Sequence, residues 1–167
     1  MQVNEYPSIS VIVPTYQREE ILLNTIADVI KQDYPSFEVL VIDQTPTHEP
    51  ETKATLEKLA ANDQIRWFRV NWASLPGARN YGVRQSKGTI ILFIDDDVQL
   101  PAGYLKAHAH NYQEQPQIGA VAGRVFDRMK LADSQKLKDS DSPYEIEQLP
   151  PEAMDPGIAW YYIDLVH

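Results

Sequence analysis

Residues Thr89 to Asp97 read TIILFIDDD, an apolar run without polar alternation that stops abruptly at three consecutive carboxylates. Thr89, Ile90, Ile91, Leu92, Phe93 and Ile94 are β-branched, aromatic or long aliphatic residues. A strand sheltered on both faces of a sheet has this composition, so the run predicts a central strand in a parallel sheet covered by helices. Asp95, Asp96 and Asp97 then stand at its carboxyl end, the edge where open α/β sheets bind ligands. At separations of ~6 Å and an effective dielectric of ~20, each ionised pair repels by roughly 3 kcal/mol, so the cluster needs full solvation or a counter-cation. Hard oxygen ligands of this kind suit Mg²⁺ or Mn²⁺, which keeps part of its water shell and bridges to a diphosphate. An acidic turn facing water is the competing reading.

The preceding chain supplies the rest of such a sheet. Ile9 to Val13 (ISVIV) is an apolar run closed by Pro14 and Thr15 and predicts a first strand. From Glu19 to Lys31, Ile21, Leu22, Ile26, Val29 and Ile30 recur at helical spacing, with acids at the amino end and Lys31 at the carboxyl end. Tyr34, Pro35 and Ser36 break that helix before Phe37 to Ile42, a second strand that runs into Asp43 and Gln44. A surface helix over Glu51 to Asn62 leads to a third strand, Ile65 to Val70, with Arg66 and Arg69 at exposed or edge positions. A helix from Gly77 to Gln85 is stopped by Gly88, with Lys87 and Gly88 as a turn, ahead of the acidic strand. Beyond it, a helix over about 102–113 and a last strand over Ile118 to Val125 complete an alternating βα order.

The chain's 167 residues suit one domain with a short appendage. Its formal charge of −9 disfavours nucleic acid or an anionic membrane surface as the main partner, though local basic residues can still meet phosphates. Without cysteine there is no disulfide, thiolate catalysis or cysteine zinc site, which fits a reducing compartment. The opening MQVNEYPSIS lacks the pattern of a secretory signal, and no apolar run approaches the ~18 residues of a membrane span. The predicted organisation is an α/β domain over 1–126 and a loop-rich segment over 127–167, the start of a truncated acceptor region, in which GIAWYYIDLV returns as a strand.

Taken in order, SVIVPTYQRE, FEVLVIDQTPT, LPGARNYGVRQSKGTIILFIDDDV and IGAVAGRV resemble the nucleotide-sugar-binding half of family 2 glycosyltransferases. Four motifs in the right order make the resemblance specific, where any one alone would be weak. It implies the GT-A fold, a Rossmann-like, mostly parallel sheet with helices on both faces. It also implies inverting transfer from a nucleoside-diphosphate sugar, with Mn²⁺ or Mg²⁺ bound through the acidic motif, to a saccharide or lipid-linked acceptor. A cytoplasmic location, peripheral at the inner face of a membrane, follows from such an acceptor. Carried over by position, Asp97 matches the last aspartate of the family's acidic motif and is a metal ligand, with Asp95 beside it. Asp95 and Asp96 contact the metal shell, ribose or donor sugar, and Pro14, Thr15 and Tyr16 match the loop after the first strand, where Tyr16 packs on the base. Arg79 and Asn80 match a GARN segment that holds the diphosphate and a hydroxyl. The competing reading has Arg79 paired with Asp43 or Asp95 and Asn80 capping locally.

The sequence also departs from the family. Where the family commonly has two aspartates that help read the base and ribose, followed by Gly-Ser, this chain has Asp43, Gln44, Thr45 and Pro46. The resemblance implies donor binding by Asp43 and Gln44, whose amide can still pair with an imide edge, while the base stays open and the proline stiffens the loop. No segment after Asp97 matches the family's acidic general base; Asp155 and Asp164 are the nearest candidates. A catalytically incompetent nucleotide-sugar-binding module is therefore the rival reading. A phosphatase using Asp95 as nucleophile fits less well, because Gln99 stands where those enzymes carry Thr or Val. His108 and His110 do not share a helix face and are read as solvent residues. Arg124 is read as a surface residue, and Trp67, Trp72 and Trp160 as core aromatics or acceptor-stacking rings.

Overall fold

The computed structural model describes residues 6–123, 125–126 and 163–165. Its first sheet has four parallel strands in the order β3-β2-β1-β4: β1 (Ile9–Thr15), β2 (Phe37–Asp43), β3 (Arg66–Arg69) and β4 (Ile90–Phe93). Helices α1 (Glu20–Ile30), α2 (Pro50–Ala61) and α3 (Leu75–Gln85) make the crossovers, and α4 (Tyr104–Glu114) follows the acidic turn. Beyond that turn lie three short strands in a second sheet: β5 (Val98–Gln99), β6 (Val125–Phe126) and β7 (Ile163–Leu165). The middle strand, β7, is antiparallel to β5 and parallel to β6.

Strand parity sorts the side chains into two layers, as alternation along a strand requires. Ile9, Val11 and Val13 of β1 and Val39 and Val41 of β2 face α1, α2 and α4, meeting Leu22, Ile26, Leu56 and Leu105. Ile12, Leu40 and Ile42 point the other way, onto Ala78 and Tyr81 of α3. Each fully buried aliphatic side chain contributes roughly 1.5–3 kcal/mol, so the larger layer supplies most of the stability. On the α3 face the helix lies very close to the sheet. A Cβ at Gly82 would stand 2.5 Å from Ile12 Cγ2, so only glycine fits at that crossing.

Two expectations need correction. β4 is not the central strand: among the described residues it pairs only with β1, leaving β1 and β2 in the middle, with Ile91 half-buried and Phe93 42% exposed. A strand over Ile118 to Val125 does not form; 118–123 has no regular structure, and only Val125 belongs to β6. Arg66 lies on β3 at the edge of the sheet, as expected, and its guanidinium donates to Glu38 at 2.8 Å and to the Gln85 carbonyl at 2.7 Å. The returning strand expected in GIAWYYIDLV is β7, whereas Arg124, Asp155 and Trp160 lie outside the described residues.

This topology fixes where a ligand can enter. The α1 and α2 crossovers step along one face from β1 to β3; α3 then crosses on the opposite face and delivers β4 to the other side of β1. The chain therefore reverses direction between β1 and β4, and the crevice beyond their carboxyl ends is the switch point of the sheet.

Candidate active site

A cavity of about 450 Å³ opens at this switch point, walled by Pro14, Thr15, Tyr16, Arg18 and Gln44, by Ser74, Leu75 and Arg79 of the α3 entry, and by Asp95, Asp96 and Asp97. A second cavity of about 590 Å³ adjoins it across Tyr16, Gln44 and Ala73 and is lined further by Thr45, Pro46, Arg69 and Trp72. The α3 entry is a capped helix end. Ser74 accepts from the Gly77 N–H, and Pro76 sits in the first turn, where its missing N–H costs nothing.

The acidic residues form a turn between β4 and β5, with each side chain held differently. Asp95 receives Arg79 at 3.1 Å, the pairing anticipated by the non-functional reading of that arginine. Asp96 is the most enclosed; the Thr15 hydroxyl donates to it at 2.6 Å. Burial, opposed by the Thr15 hydrogen bond and reinforced by the Asp97 charge, holds the Asp96 carboxyl above the ordinary carboxylate range. Asp97 faces Arg18, whose guanidinium donates to it at 3.2 Å while the Arg18 Nε lies 3.8 Å from Asp96. Thr25 of α1 fastens the turn from below, its hydroxyl lying 2.9 Å from the Val98 carbonyl and 3.1 Å from the Asp96 carbonyl. Burial, with the Asp95 charge adding to it, pushes the Tyr104 phenol up to about 12, so it stays protonated beneath the site.

The end of β2 is built otherwise. Asp43 is fully buried and lines neither cavity. Its carboxylate accepts from the Thr45 N–H at 2.8 Å, and from the Trp67 indole N–H and His48 Nε2 at 3.0 Å each. The other nitrogen of His48 lies 3.1 Å from Glu19 at the start of α1. Gln44, next along, is spanned at both ends: its amide N–H reaches the Thr15 carbonyl at 3.2 Å, and its oxygen accepts from the Ser74 N–H at 2.6 Å.

The structure thus brings Pro14, Thr15, Tyr16, Gln44, Arg79, Asp95, Asp96 and Asp97 to one cavity system and leaves Asp43 and Asn80 off its walls. Asn80 is exposed on α3. Trp67 is structural through its bond to Asp43, while Trp72 lines the second cavity. His108 is not a solvent residue. It lies buried edge-on to Tyr104, with ring centroids 4.8 Å apart, and burial lowers its pKa to about 4. Sequence reasoning missed Arg18, Ser74 and Thr25. Arg18 alone carried a usable signal, a cation in the loop facing three carboxylates.

Among the described residues no group of three His, Cys, Asp or Glu side chains converges as a metal cage. The donor set nonetheless fits Mg²⁺ or Mn²⁺, which bind through one or two carboxylates and complete their shell with water and phosphate oxygens. Asp97 and Asp95 both face the cavity and would hold such an ion.

The profile of glycosyl transferase family 2 matches residues 10–158. The GalNAc(5)-diNAcBac-PP-undecaprenol beta-1,3-glucosyltransferase of Campylobacter jejuni is 34% identical over 102 residues, which cover 59% of this chain and 32% of that enzyme. The crystal structure of Staphylococcus aureus TarS 1-349 with UDP-GlcNAc superposes with a TM-score of 0.63 at 27% identity, over 72% of this chain and 35% of that one. A mannosyltransferase from Pyrobaculum calidifontis, solved with GDP-Man and Mn²⁺, shares the fold at 21% identity and a TM-score of 0.56, over 80% of this chain and 40% of that one. The chain therefore spans about a third of the length of the curated relative and of the TarS structure.

Proposed function

Since the chain belongs to glycosyl transferase family 2 and has its GT-A fold, we propose that it is the donor-binding part of an inverting, metal-dependent glycosyltransferase fed by a nucleoside-diphosphate sugar. The observation that carries this reading is the single cavity system at the β1/β4 switch point, where aromatic, amide, guanidinium and carboxylate groups line one continuous wall. The nucleoside takes the larger cavity, between Tyr16 and Trp72, and the diphosphate lies toward Arg79 and the capped start of α3. Asp97, with Asp95, holds the divalent cation. Breaking the bond to the anomeric carbon leaves negative charge on the diphosphate, and the bound cation supplies Lewis-acid stabilisation of that leaving group. Arg79 adds a fixed positive charge on the same side.

The acceptor is a saccharide or lipid-linked saccharide, and the three aspartates on the cavity wall serve the donor rather than deprotonating the acceptor hydroxyl. With a lipid-linked acceptor the protein works in the cytoplasm at the inner face of a membrane; among the described residues no helix is long and apolar enough to cross one.

The test is a thermal-shift panel of nucleotides and nucleotide sugars with Mn²⁺ or Mg²⁺, followed by an assay of nucleoside-diphosphate release. A ligand at a hundredfold its Kd stabilises by about 2.7 kcal/mol, so one nucleotide should stand out from the panel. Asp97→Asn should abolish the metal-dependent part of that shift. Absence of any nucleotide-dependent shift overturns the reading, and donor binding without diphosphate release reassigns the chain to a nucleotide-sugar-binding module.

A further inference from the structure

Arg18 is the cavity residue the donor-site reading leaves without a task. Its guanidinium reaches across the β1 loop to Asp97 at 3.2 Å and to Asp96 at 3.8 Å, the pair of carboxylates that closes the acidic turn. Among the described residues Asp96 and Asp97 are its side-chain partners, and the side chain is 43% exposed. The backbone beside it is pinned. Gln17 adopts φ 54, a left-handed conformation rare outside glycine, and its N–H donates to the Thr45 hydroxyl at 2.9 Å. A fixed backbone with a long, loosely held side chain lets the guanidinium change partners without moving the loop.

We propose that Arg18 is an exchangeable cation: in the donor-free protein it balances Asp96 and Asp97 in place of a divalent metal, and on loading it transfers to the diphosphate. The inference rests on the donor site described above. Its logic is charge exclusion. A guanidinium in hydrogen-bond contact with the Asp97 carboxylate and a doubly charged ion on the same carboxylate repel each other, so each displaces the other. Once displaced, Arg18 still borders the cavity, where a diphosphate offers the planar fork an anion that it binds bidentately. Arg79 differs because it pairs with Asp95, and its guanidinium also lies over the Phe93 ring at 5.8 Å.

The test compares the wild type with Arg18→Gln and Arg18→Lys in two titrations. The first follows Mn²⁺ binding by electron paramagnetic resonance without nucleotide, and the second follows nucleoside-diphosphate binding by calorimetry at saturating Mn²⁺. Arg18→Gln should bind Mn²⁺ more tightly in the first and lose about tenfold in nucleotide affinity in the second, the cost of one charge-assisted contact, with Arg18→Lys in between. A merely structural role would weaken both, and that result overturns the proposal, as does an unchanged Mn²⁺ affinity. Tighter Mn²⁺ binding with unaltered nucleotide affinity removes the transfer step. If Mn²⁺ binding tightens but no nucleotide binds any variant, the donor-site reading has failed while the competition between Arg18 and metal stands.

Discussion

Asp43 and Asp97 stand at the same carboxyl edge of the sheet, one ending β2 and the other just past β4, yet opposite means hold them. Asp43 is fully buried, and a backbone N–H, an indole and an imidazole converge on it, none of which can leave without local unfolding. Asp97 keeps 15% of its side chain exposed and answers to a guanidinium that is itself 43% exposed. Fixed donors make a carboxylate part of the architecture. An exposed donor can be replaced by another cation, so the carboxylate that ends β2 is locked by its neighbours while the acidic turn keeps a partner that a ligand can displace.

The comparison predicts unequal stability losses. Asp43→Ala leaves the Thr45 N–H, the Trp67 indole and His48 without their common acceptor inside the protein, and orphaned buried donors at about 1–3 kcal/mol each make the loss about 3–5 kcal/mol. Urea unfolding measures it, and a loss below about 1 kcal/mol would erase the distinction between the two strand ends. Gln44→Ala removes the side-chain strut between the Thr15 carbonyl, which keeps the Gln44 backbone N–H at 3.0 Å, and the Ser74 N–H, which loses its partner, at a cost of about 1 kcal/mol. The same variant should slacken the start of α3, read as faster amide exchange at Gly77 and Ala78.

These partners also show what a sequence can and cannot display. The apolar runs ISVIV and FEVLVI announced two strands, and the helical period between them their crossover, because hydrophobic runs and their spacing are local properties. Strand order is not local. The uninterrupted TIILFI looked innermost, and only pairing across the sheet shows β4 lying beside β1 alone among the described residues. The start of α3 was missed because Pro76 and Gly77 resemble the opening itself, while the cap is Ser74. Asp43 matched a family binding position, but its role depends on Trp67, which lies 24 residues away in sequence, and on His48. The acidic turn was legible as a site because three adjacent carboxylates are costly wherever they fold; its cation, Arg18, comes from the opposite side of the crevice.

Acid titration sharpens the comparison at the other end of β2. Burial of Glu38 works against its charge, but the Ser10 hydroxyl, Arg66 and the Lys87 N–H outweigh it and hold the carboxyl below its ordinary 4.5. A depressed folded-state value means that Glu38 stabilises the fold at pH above 4.5 and loses that contribution as pH falls through the lower value. Glu38→Gln should therefore cost up to about 1 kcal/mol at neutral pH and almost nothing well below that range. Urea midpoints at both pH values check it, and an equal loss at the two would assign the effect to packing.

The smallest expected effect bears most directly on function. Asp97→Asn removes one charge from a repelling cluster and one contact to a half-exposed arginine, two changes of opposite sign. Exposed ion pairs are worth about 0–1 kcal/mol, so the net change in unfolding free energy should lie within about 0.5 kcal/mol. A double-mutant cycle with Arg18→Gln isolates the contact from the relief of repulsion. Coupling near zero at 0.5 M salt, and slightly favourable at low salt, is what a screened, exchangeable pair gives. Coupling above about 1.5 kcal/mol, insensitive to salt, would show that Arg18 is as fixed to Asp97 as Trp67 is to Asp43, and the contrast between the two strand ends would be gone.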